Sequence, residues 1–148
     1  VQMTTRSKNP LETSAAHLLH RAGQRAADIF AEEAKKGGLT PRQYAVLTAV
    51  SQEEGLPQAE LVSRTGIDRS TLADIVARLL GRGLIQRRRA KEDGRAYAIK
   101  LSAKGTKALA KAKPAASAAD AKLLAGLSAT KRNEFLKTLS AVVAAGDD

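Results

Sequence analysis

The sequence has no cysteine and no tryptophan among 148 residues, and only two tyrosines and two phenylalanines. Without cysteine there can be no disulfide, no thiolate zinc site and no thiol redox switch, which suits a reducing cytoplasm. With aromatics at 3%, the core has to be built from Leu, Val, Ile and Ala. No apolar run approaches the eighteen or so residues of a membrane helix, and the first residues carry no leader-type apolar segment, so neither a membrane partner nor a secretory signal is expected. Enzyme chemistry is poorly supplied. The two histidines, His17 and His20, share one amphipathic helix, and no Ser/His or Cys/His arrangement suggests itself. Gly81-Arg82-Gly83 lacks the strand–loop–helix context of a phosphate-binding loop. No catalytic residue, metal or cofactor is expected.

What is abundant is positive charge, and it is concentrated. The formal net charge is +10, and residues 61–105 hold 11 Lys/Arg against 4 Asp/Glu. A general solubilising surface would spread that excess along the chain. One concentrated basic surface points to an anionic partner, nucleic acid above all.

Apolar periodicity predicts helices over 11–36, from about Thr40 to Glu54, after Pro57 to Thr65, from Asp68 to Gly81, over 103–124 and from Ser128 onward. Thr40-Pro41-Arg42-Gln43 is a capping box with proline at the first helical position. Asp68, Ser102 and Ser128 are further caps, and Pro114 predicts a kink or break in the fifth helix. Between Leu84 and Leu101 the period changes to two. Leu84–Arg87 and Tyr97–Leu101 alternate around Asp93-Gly94, a tight-turn signal, so a two-stranded hairpin is expected with Tyr97, Ile99 and Leu101 turned to the core.

Two helices joined at Thr65-Gly66-Ile67 and followed by a basic hairpin make a winged helix-turn-helix pattern. In the second of these helices Leu72, Ile75, Val76 and Leu79 face inward. Arg69, Ser70, Thr71, Asp74 and Arg78 then point out, and the first turn is the end a recognition helix offers to base edges. Asp74 would repel phosphate unless it accepts from cytosine or holds Arg69 or Arg78 in place.

This order of elements resembles the MarR family of bacterial transcription regulators. The resemblance rests on Leu39-Thr40-Pro41-Arg42-Gln43-Tyr44-Ala45-Val46-Leu47, Gly66-Ile67-Asp68-Arg69-Ser70-Thr71-Leu72, Leu79 to Ile85, Asp93-Gly94-Arg95 and Leu101-Ser102-Ala103-Lys104-Gly105. It implies a mainly α (α+β) fold: a winged helix-turn-helix with a two-stranded wing, plus N- and C-terminal helices forming an intertwined homodimer. Residues 1–38 and 103–148 would form the dimerisation region and 39–102 the DNA-binding lobe. Carried over by position, Arg95 is the wing-tip residue expected in the minor groove, and Asp93 orients it. Arg69, Ser70 and Thr71 match major-groove readers, and Arg87, Arg89 and Lys91 fall near phosphates. The implied partners are a double-stranded DNA operator, a second copy of the chain and a small aromatic or anionic effector. For the effector, His17, Arg21, Arg42 and Tyr44 are candidates. The expected role is a bacterial, cytoplasmic, nucleoid-associated repressor released by its ligand. A sequence-neutral architectural protein and an RNA-associated basic protein are the alternatives.

Overall fold

The structure is a computed structural model that describes residues 9–35, 38–89 and 97–147. A 3-10 turn over Pro10–Thr13 leads to α1 (Ala15–Ala34), followed by α2 (Pro41–Gln52), β1 (Leu56–Pro57), α3 (Gln58–Thr65) and α4 (Arg69–Gly81). The hairpin strands β2 (Ile85–Arg89) and β3 (Tyr97–Leu101) come next, then α5 (Ala103–Leu123) and α6 (Ala129–Ala144). The mainly helical winged helix-turn-helix fold is therefore present.

Four details differ from the expectation. The first helix does not begin at Leu11: Ser14 adopts an extended backbone, and its hydroxyl accepts from the His17 amide at 3.3 Å, starting α1 one residue later. That helix stops before the Gly37-Gly38 pair, where Lys35 takes a φ of +62°. Gly37 itself lies outside the described residues.

The sheet has three strands rather than two, in the order β1-β3-β2. Leu56 pairs with Ile99 and Pro57 with Ala98, both antiparallel. Two residues are too few to display an alternation, so only packing against β3 makes them a strand. Finally, α5 runs on through Pro114. The carbonyl deprived of its amide donor is that of Ala110, and both residues are exposed, where water can complete the bond.

The described residues form two compact units. One takes Phe30–Ala116. Its core is aliphatic, as the aromatic scarcity requires: Val46, Leu47, Val50, Leu61, Leu72, Leu79, Leu84 and Ile99 are fully buried, and Leu109 and Ala112 of α5 join them. Each such leucine contributes about 1.5–3 kcal/mol relative to exposure. The other unit joins the residues up to Ile29 with those from Ser117 onward. Among its described residues Ala119 alone is buried, while Leu11, Leu18, Leu19, Leu136, Val142 and Val143 are exposed. No helix among the described residues is long and apolar enough to cross a membrane.

Candidate nucleic-acid interface

The recognition helix α4 begins where the sequence provides a cap. Asp68 Oδ2 accepts the Thr71 amide at 3.0 Å and the Ser70 hydroxyl at 2.9 Å. Hydrogen bonding from Thr71, and then from Ser70, holds the Asp68 carboxyl down at about 2, so it is ionised at neutral pH. Just before it, Gly66 ends α3 with a φ of +70°, a backbone conformation open to glycine at little strain.

Within α4 the spacing of Leu72, Ile75, Val76 and Leu79 turns one face into the core, and all four are buried. The opposite face carries Arg69, Ser70, Asp74 and Arg78, all exposed, with Thr71 half-buried beside them. Arg78 Nε donates to Asp74 Oδ2 at 3.1 Å. Of the two arginines Asp74 could hold, it takes Arg78, one turn along the helix. At the far end, Arg82 Nη1 donates to Oε1 of the buried Gln43 at 3.3 Å.

The hairpin presents a graded face. Ile85 pairs with Leu101, Arg87 with Ile99 and Arg89 with Tyr97. Successive side chains alternate across a strand, so Ile85, Arg87 and Arg89 share one face with Leu101, Ile99 and Tyr97, while Arg88 lies on the other. Moving outward, the face changes from aliphatic and buried to cationic and exposed. Tyr97 does not enter the core as expected. It is half-buried, with the Arg87 guanidinium 4.6 Å and the Arg89 guanidinium 5.8 Å from the centre of its ring. Residue alternation groups Tyr97 with Ile99; the core ends one pair sooner. Lys91, Asp93 and Arg95 lie outside the described residues.

The effector candidates divide between the units. His17, half-buried, and the exposed His20 and Arg21 belong to the unit that ends at Ile29, whereas the exposed Arg42 and the half-buried Tyr44 belong to the other. Tyr44 packs its ring against Phe30, with 5.7 Å between centroids and 52° between planes. It also walls an open groove of about 600 Å³ with Ala45, Thr48, Ala49, Gln52, Arg64 and Thr65. Sequence reasoning did not single out Arg64, whose guanidinium pairs with Glu53 and, at 3.8 Å, with Glu60. Among the described residues no three of His, Cys, Asp and Glu converge as metal ligands would.

Comparison with known proteins places this architecture. A family model described as MarR family matches residues 37–96. The transcriptional regulator HosA of Escherichia coli is 35% identical over 99 residues, which is 67% of this chain and 73% of that protein. The PcaV transcriptional regulator from Streptomyces coelicolor, solved in complex with its natural ligand, aligns at a TM-score of 0.86 and 31% identity, covering 93% of this chain and 97% of that one. The transcriptional repressor CouR bound to a 23-mer DNA duplex aligns at 0.84 and 27% identity, covering 97% and 99%. The family-model match, together with the identity to these regulators over most of their length, shows that this chain belongs to the MarR family of winged-helix transcriptional regulators.

Proposed function

We propose that this chain is a homodimeric repressor that binds a near-palindromic DNA operator and is released by a small aromatic or anionic ligand. One observation carries the reading. The outward first turn of α4, with Arg69, Ser70 and Thr71, belongs to the same lobe as a hairpin whose exposed end carries Arg87 and Arg89. That combination supplies hydrogen-bonding groups for base edges and cations for phosphates, the two halves of sequence-specific binding. A relative solved on a DNA duplex supports it.

In this reading Arg69, Ser70 and Thr71 read the major groove. Asp74 fixes Arg78, which with Arg87, Arg89 and Lys91 faces phosphates. Arg95 enters the minor groove at the wing tip, with Asp93 beside it. Residues 39–102 read DNA, while 1–38 and 103–148 form the dimer. Support for the dimer lies in the apolar side chains of α1 and α6 that their own unit leaves exposed. Two lobes related by a two-fold axis would engage half-sites about one helical turn apart, and the bound dimer would occlude promoter DNA. His17, Arg21, Arg42 and Tyr44 are the residues we assign to the effector, and a relative solved with its natural ligand favours a ligand here as well. A regulator of this kind acts beside the chromosome in the bacterial cytoplasm, and we assign it no catalytic step.

Selection from a random duplex pool tests the reading. The expected product is an inverted repeat, and Arg95→Ala should weaken binding to it by about 1–3 kcal/mol. Equal affinity for the selected and a scrambled duplex at near-physiological salt would instead identify a sequence-neutral architectural protein.

A further inference from the structure

Tyr97 lies directly across the hairpin from Arg89, with Arg87 two residues away on the same strand face. Both guanidinium groups lie within cation–π range of its ring, at 4.6 and 5.8 Å. Two like charges gathered at one ring repel each other. Among the described residues neither arginine has a carboxylate within ion-pair distance. The ring lies against both cations, which charge alone would drive apart.

We infer that Tyr97 is a positioning residue for DNA binding: its ring pre-orients Arg87 and Arg89 as a paired clamp for backbone phosphates. This rests on the reading of the hairpin as a DNA-contacting wing. A guanidinium stacks through its flat face and hydrogen-bonds through its edge, so stacking on Tyr97 leaves the donors free for a phosphate. Residues two apart on a strand are separated by about 7 Å, which suits neighbouring phosphates of one DNA strand. A free arginine loses rotamer freedom when it binds; one already stacked loses less.

Affinity of the full-length chain for a selected duplex of about 25 base pairs, enough for two half-sites, tests the clamp by fluorescence anisotropy. Tyr97→Phe keeps an aromatic face and should bind within about twofold of the parent. Tyr97→Leu removes it and should weaken binding about tenfold, while leucine keeps an apolar side chain at this half-buried position, so a melting temperature close to the parent's is expected. Arg87→Ala with Arg89→Ala should weaken binding further and reduce the salt slope by about one for each phosphate no longer neutralised. Adding Tyr97→Leu to that double variant should then change nothing, because a positioning residue acts through the groups it positions. Parent-like binding by Tyr97→Leu overturns the inference alone. So does a tenfold loss that persists without the arginines, since that marks a general structural role. Parent-like affinity and salt slope in the double arginine variant overturn the wing assignment, and the inference with it.

Discussion

Arg82 and Gln43, thirty-nine residues apart in sequence, meet through a hydrogen bond of 3.3 Å. The bond ties the end of the recognition helix to the first turn of α2. The acceptor oxygen of Gln43 also takes the Thr40 amide at 3.2 Å, while the Thr40 hydroxyl takes the Gln43 amide at 3.1 Å. One buried side chain thus closes a capping box and anchors α4.

Gln43→Ala should accordingly destabilise the lobe by about 1–3 kcal/mol, the range for losing a cap together with a buried hydrogen-bond partner. In a chain of this length that is roughly 3–10 °C in melting temperature. Arg82→Ala, altering an exposed partner, should have a smaller effect. A larger loss in Arg82→Ala, measured by thermal unfolding, would contradict this ordering.

Gly105 starts α5 against the end of the wing. A Cβ built there would overlap the carbonyl of Leu84, whose oxygen accepts the Ser102 amide at 3.1 Å. The Ser102 hydroxyl donates to the Gly83 carbonyl at 2.6 Å and accepts the Gly105 amide at 2.9 Å, so the backbone has little room to retreat. Gly105→Ala should therefore destabilise the protein by about 3 kcal/mol or more. A melting temperature within a degree of the parent would show that the junction can open.

Asp68 predicts a pH dependence with a defined sign. Its carboxyl titrates at about 2 in the fold, below its ordinary 3.8. A lowered folded value means that the unfolded chain binds the proton first. The stabilisation is fully present above about pH 4 and is lost as pH falls toward 2. Asp68→Asn should be less stable than the parent at about pH 5, and the gap should shrink between about pH 4 and 2. Thermal melts in that window measure it. A gap that stays constant with pH would mean that the charged form is not the stabilising species.

The exposed apolar side chains of α6 predict the assembly. Leu136 is 51% and Val143 69% exposed, in a unit with almost no buried residues of its own. If these side chains are covered by a second copy, Leu136→Glu should shift the protein from twice the chain mass to the chain mass in light scattering. Operator affinity should fall with it, because one lobe alone reaches a single half-site. A Leu136→Glu protein that remains dimeric would place the interface elsewhere.

Local order was determined by the sequence itself. Thr40, Asp68 and Ser128 each cap the amide three residues ahead, a relationship fixed by spacing along one helix. The inward row of α4 follows equally from the helical period, and so do the outward positions of Arg69, Ser70, Asp74 and Arg78. The ordered series from Leu39 to Gly105 was enough to identify the family. Tertiary structure decided whatever depends on what lies across a gap. Leu56-Pro57 became a strand because Ile99 was there to pair with it. Gln43 gained Arg82, and Tyr97 left the core to hold two arginines. Periodicity states which way a side chain points. Where the core ends, and what waits beyond it, is set by packing between segments far apart in the chain.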